Sequence, residues 1–109
     1  MQSFSYASPK TTKEAIELLR QKGAQAALLA GGTDLLSLMK DSVVSPSVLI
    51  NLKSIDSLSG VQVSGGNLEI GSTTTLAELI SDTKIQELFP ALIQAAEGVS
   101  SPQIRNMGT

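Results

Sequence analysis

The feature that most constrains this chain is the run Leu28-Leu29-Ala30-Gly31-Gly32-Thr33-Asp34-Leu35-Leu36. An apolar stretch stops at two glycines, a threonine and an aspartate, and a second apolar stretch continues through Met39. The pattern predicts a strand feeding a tight turn into a helix N-terminus. Such a turn aims several backbone N–H groups at one point, and the positive end of the helix dipole adds to them. Glycine at both turn positions permits positive φ and lets a ligand approach the backbone closely. The run is therefore a candidate seat for a phosphate or pyrophosphate. It also admits a purely local reading, as a strand-to-helix turn with Thr33 or Asp34 as N-cap. It is not a P-loop, since no Gly-Lys-Ser/Thr follows, and it is not the dinucleotide GxGxxG.

The flanking sequence supplies the elements around this turn. Phe4 and Tyr6 alternate with Ser3 and Ser5, predicting a first strand near Phe4–Tyr6. Thr11 and Glu14 stand at capping-box spacing and open a helix to about Lys22, with Gly23 at the C′ position. Ala15, Ile16, Leu18 and Leu19 are its predicted inner face. Ala26–Leu29 is a second strand, apolar throughout and expected to be buried. Val48–Asn51 is a third. Strands separated by helices argue for a small, largely parallel sheet. Beyond a connector at Ile55–Gly60, Val61–Val63 and Leu68–Ile70 alternate around Ser64-Gly65-Gly66-Asn67, a hairpin signal. Thr75 with Glu78 and Thr83 with Gln86 repeat the capping spacing, and Pro90 opens a further helix to about Glu97. Ser100 to Thr109 has no periodicity and reads as a loop. The expected fold class is α+β, with a βαβαβ subdomain at 1–52 and an incomplete second mixed subdomain at 53–109.

Composition narrows the chemistry. The 109 residues carry 8 basic and 10 acidic side chains with no basic cluster, which argues against a nucleic-acid footprint. There is no Cys, which excludes disulfides, thiolate metal sites and iron–sulfur ligation by this chain. There is no His, which removes the commonest general base and metal ligand. No apolar run approaches the ~20 residues of a membrane span. The first residues carry neither a basic start nor an apolar h-region, so the expected setting is the cytoplasm. The hydroxyls of Ser72-Thr73-Thr74-Thr75 exceed what one cap needs, and the remainder face either solvent or a polar ligand. Arg105 reads as an ordinary surface cation. Nothing assembles a nucleophile, a base and an orienter, so no catalytic residue is assigned.

The ordered set of motifs resembles a known family. The set runs from Phe4-Ser5-Tyr6 and Pro9 through Leu28–Leu36, Met39-Lys40 and Leu49-Ile50-Asn51-Leu52. It continues with Leu68-Glu69-Ile70-Gly71-Ser72-Thr73-Thr74-Thr75-Leu76-Ala77-Glu78-Leu79, Phe89-Pro90-Ala91-Leu92 and Gln103-Ile104-Arg105-Asn106-Met107-Gly108-Thr109. This is similar to the FAD-binding medium subunit of molybdenum hydroxylases, the xanthine dehydrogenase and carbon monoxide dehydrogenase family. The resemblance implies a PCMH-type FAD-binding fold and FAD as cofactor. It implies electron transfer between iron–sulfur clusters of one partner subunit and an acceptor such as NAD, with substrate oxidised on a molybdopterin-binding subunit. It implies that the FAD pyrophosphate lies on two glycine turns. The first matches Leu28, Leu29, Ala30, Gly31, Gly32, Thr33, Asp34 and Leu35. The second begins at Gly108-Thr109, where the family continues into a further Gly-Gly-Asn, so the chain is expected to be the N-terminal part of a longer subunit. A different class stays open beside this one: a non-catalytic assembly or binding domain whose glycine turns are purely structural.

Overall fold

A computed structural model describes residues 1–109. Its first half is a three-stranded sheet in the order β1-β3-β2, formed by β1 (Ser5–Ala7), β2 (Ala26–Leu29) and β3 (Val48–Asn51). Both pairings are parallel, with Tyr6 and Ala27 each opposite Leu49. Helix α1 (Thr12–Lys22) links β1 to β2, and α2 (Leu35–Lys40) links β2 to β3. Alternation along β3 divides the core between the two faces. Val48 and Ile50 pack with Ala15 of α1 and with Ile55, whereas Leu49 packs with Leu29 and with Met39 of α2.

Every residue of β3 is buried, as its central position requires. The expectation that β2 is buried throughout is corrected. β2 is an edge strand, and Leu28 remains 45% exposed. The first strand lies one residue later than Phe4–Tyr6. In α1 the Thr11 hydroxyl accepts the Glu14 N–H, while the Glu14 carboxylate accepts from Lys10 N–H instead of closing the box on Thr11. Ile16, expected to face inward, is 58% exposed, because α1 covers the sheet through Ala15, Leu18 and Leu19 only.

The second half opens with a hairpin, β4 (Val61–Ser64) and β5 (Asn67–Ile70), paired antiparallel. Gly65 and Gly66 form its tip with φ of 57° and 81°, the positive values that a two-residue type I′ loop demands. Helices α3 (Leu76–Ser81), α4 (Thr83–Leu88) and α5 (Pro90–Glu97) follow. Leu79, Ile85, Ile93 and Ala96 form a third cluster, against which Val61 and Leu68 of the hairpin pack. The cap of α4 is Asp82, not Thr83: its carboxylate accepts the Ile85 N–H. The segment read as a loop contains a one-turn helix, α6 (Pro102–Arg105), capped by Ser101 through the Ile104 N–H. Serine as N-cap with proline at the first helical position is the signal that absent periodicity hid. No helix is long and apolar enough to cross a membrane.

The two isoleucines separate burial from pattern. Ile85 is fully enclosed, so Ile85→Ala should lower unfolding free energy by about 2–5 kcal/mol. Ile16→Ala should stay within roughly 0.5 kcal/mol of wild type, as at ordinary surface positions. Urea unfolding followed by circular dichroism measures both, and equal losses would contradict the packing of α1.

Candidate functional site

The glycine turn is anchored by what lies beneath it. Leu29, the last residue of β2, is buried against Met39 and Leu49. The chain then leaves the sheet, and Gly32 takes φ of 80°. A Cβ there would stand 3.1 Å from side-chain atoms of both Leu29 and Leu36, so this position is glycine for conformation and for space. The turn's carbonyls are engaged: Gly32 accepts from Leu36 N–H, Thr33 from the Ser37 hydroxyl and Asp34 from Leu38 N–H. The N–H groups of Gly31, Gly32, Thr33, Asp34 and Leu35 donate to no acceptor in the protein. A row of consecutive N–H groups around a left-handed residue is an anion-directed concavity.

The local reading of this turn holds in position but not in bonding. Asp34 stands at the N-cap of α2, but neither its carboxylate nor the Thr33 hydroxyl makes a capping hydrogen bond. The helix-dipole argument also loses force, because α2 has only 6 residues. Whatever attraction the turn exerts on an anion comes from its own N–H groups, with the Asp34 carboxylate opposing it.

The second glycine segment arrives from the far end of the chain. After α6, the N–H groups of Met107 and Gly108 both donate to the Ile104 carbonyl, and the Gly108 carbonyl accepts from Leu76 N–H at 2.9 Å. Arg105, read as a surface cation, donates instead to the Val99 carbonyl at 2.9 Å and closes the loop before α6. This brings Met107 over Gly31. A Cβ on Gly31 would collide with the Met107 carbonyl oxygen, and one on Gly108 would lie 3.8 Å from the Thr33 hydroxyl. Two segments more than seventy residues apart in sequence thus meet backbone to backbone.

A recess of about 210 Å³ opens beside this contact. It is lined by Thr109 and by every residue from Leu28 to Leu35 except Leu29. Leu29 and Gly108 are both buried and do not line it. Its volume lies under the ~300–1,000 Å³ of a whole small-molecule site, so it suits one polar portion of a larger ligand. By contrast, the Ser72–Thr75 hydroxyls are mostly committed to structure. Thr73 donates to the Leu58 carbonyl, Thr74 bonds both the N–H and carbonyl of Gly60, and Thr75 caps α3.

Sequence reasoning missed one charged group. No Lys or Arg lies between Leu28 and Asp34, yet the Lys53 ammonium donates to the Ala30 carbonyl at 2.9 Å. Asn51, a polar residue closing a buried strand, marks the start of the turn to Lys53 in the sequence but not where the Lys53 side chain ends. It is 6% exposed, and its side-chain Oδ1 accepts the Lys53 backbone N–H at 3.1 Å.

The chain matches, over residues 2–109, the family described as FAD binding domain in molybdopterin dehydrogenase. It is 42% identical over 106 residues to the carbon monoxide dehydrogenase medium chain of Hydrogenophaga pseudoflava, covering 97% of this chain and 37% of that protein. It is 38% identical over 110 residues to the nicotinate dehydrogenase FAD-subunit of Eubacterium barkeri, covering 100% of this chain and 37% of that protein. A solved structure of the Hydrogenophaga pseudoflava carbon monoxide dehydrogenase superposes with a TM-score of 0.97 at 41% identity, over 99% of this chain and 38% of that one. The chain therefore spans less than two-fifths of the curated relatives it matches.

Gly31 and Gly98 give a matched pair of tests. Gly31→Ala forces the Met107 segment away, whereas a Cβ on Gly98 meets only ordinary contacts at 3.5 Å or more. Gly31→Ala should lower the melting temperature by several degrees and speed amide exchange at Leu76 and Gly108. A loss of about 1–3 kcal/mol is typical where a buried contact must rearrange. Gly98→Ala should leave both readouts near wild type.

Proposed function

The chain belongs to the FAD-binding domain family of molybdopterin dehydrogenases, and on that premise we propose that the recess between its glycine segments seats the diphosphate of FAD. The residues assigned to it are Leu28, Ala30, Gly31, Gly32, Thr33, Asp34, Leu35 and Thr109, with Leu29 and Gly108 as their buried neighbours. One observation carries the reading: five consecutive residues whose N–H groups have no protein acceptor line a recess that Thr109 of the second glycine segment also lines. A hydrogen bond to an ionised phosphate oxygen contributes about 1.5–3 kcal/mol. When bound, flavin supplies the redox chemistry, so the chain needs no nucleophile or base of its own. The division into subdomains at 1–52 and 53–109 belongs to this reading and is supported by the two separate sheets. Ile55 and Leu58 nevertheless pack with the first core.

The wider assignment is a flavoprotein component of a cytoplasmic molybdenum hydroxylase. In it, electrons pass between iron–sulfur clusters of one partner subunit and an acceptor such as NAD, while a molybdopterin-binding subunit oxidises the substrate. Support comes from relatives named as a medium chain and a FAD-subunit. The competing reading, a binding domain with purely structural glycines, accounts for Gly31 through Met107 and for Gly32 through its φ. It leaves the row of N–H groups without a purpose.

A substitution on the exposed rim tests the assignment without disturbing the core. Leu28→Glu places a carboxylate in the recess at a position that is 45% exposed. FAD affinity of the purified protein, followed by flavin fluorescence, should fall by at least roughly tenfold, equivalent to about 1.4 kcal/mol. The melting temperature should hold. Unchanged affinity would remove the diphosphate from this recess.

A further inference from the structure

We propose that Lys53 is a further diphosphate-binding residue, a cation that this chain brings to the rim of the recess from outside the glycine run. The inference rests on the reading of the recess given above and adds a charged group to it.

Three observations converge on Lys53. Its ammonium donates to the carbonyl of Ala30, a residue that lines the recess. That bond uses one of three N–H donors, leaving two for a ligand. Lys53 also pairs with no carboxylate; the only ion pair in the structure joins Arg20 and Glu17. Lys53 is exposed and does not itself line the recess, but an unpaired cation fixed on the Ala30 carbonyl strengthens the field for an anion there and offsets the Asp34 carboxylate.

The lysine's backbone is held by a buried device. Asn51 closes the central strand, where its side-chain amide donates to the hydroxyls of Ser8 and Ser54 at 3.3 and 3.4 Å. Ser8 directly follows β1, so Asn51 ties the carboxyl end of that strand to its own. Its side-chain Oδ1 takes the Lys53 backbone N–H and turns the chain back across the sheet end. From there the Lys53 side chain reaches the residue after β2. The carboxyl ends of all three parallel strands are thereby linked, at the edge where ligands of open α/β sheets bind.

The test is FAD affinity of the purified protein as a function of ionic strength. Between about 0.01 and 0.15 M salt the Debye length shrinks from about 30 to about 8 Å. Lys53→Gln should bind FAD about fivefold more weakly at low salt, the scale of a partly exposed charge interaction. It should also show a shallower salt dependence than wild type, and Lys53→Arg should restore the dependence. Wild-type affinity in Lys53→Gln would overturn the proposal, as would weaker binding with an unchanged salt dependence, which marks a merely structural role. Leu28→Glu run in parallel separates the two failures. If it weakens binding while Lys53→Gln does not, the recess stands and the lysine falls; if neither has an effect, both readings fall.

Discussion

The arrangement of the site depends on a contact that contains no side chain, the approach of the Met107 carbonyl to Gly31. Any Cβ at position 31 would occupy the space of that oxygen. The adjacent glycine answers a different demand, since Gly32 alone of the two carries positive φ, and it sits between Leu29 and Leu36. The Gly-Gly pair therefore combines a packing requirement and a conformational one. The other side of the contact is held just as firmly. Ser101 caps α6, Arg105 holds the preceding loop, and Gly108 hands its carbonyl to the first N–H of α3. The terminal segment thus couples the parallel sheet to the helical half, and the recess lies at that junction.

What was legible in the sequence followed from local rules with short reach. Thr11 and Thr75 cap their helices as the spacing demands, and the Gly65-Gly66 hairpin tip needs no ligand to explain it. The strand–turn–helix reading of Leu28–Met39 holds because apolar periodicity, two glycines and a polar N-terminus all favour it. The errors have identifiable causes. Apolar content alone placed Leu28 inside, but a three-stranded sheet has two edges and β2 is one of them. The position of Ile16 depends on how α1 rolls on the sheet, which periodicity constrains only to within a residue or so. Thr83 displaced Asp82 as the expected cap because both residues satisfy the same preference, and only backbone geometry distinguishes them.

The parts of the proposed site that stayed hidden are the long-range ones. Nothing local to Lys53 indicates that its ammonium ends on Ala30, 23 residues earlier. That contact requires β3 to lie beside β2, a pairing invisible in any short window. The Gly31–Met107 contact is hidden for the same reason. Its two halves are each unremarkable in sequence, and only the path of the chain through α6 joins them.

The anion site we propose, built mainly from backbone N–H groups, suits a chain of formal charge −2. At physiological ionic strength the Debye length is about 8 Å, so distant carboxylates contribute little at the recess. The local balance is then among the N–H row, the Asp34 carboxylate and the Lys53 ammonium. N–H groups fixed by the turn keep their orientation when no ligand is present, so binding requires little reorganisation there. A lysine alone would attract any anion that reached it. Set beside a recess of about 210 Å³ whose walls include Leu28 and Leu35, it favours one in which a compact phosphate portion continues into larger groups outside. In the proposed site, shape would supply the discrimination that charge cannot, and a dinucleotide whose diphosphate sits between two bulky ends would meet both conditions.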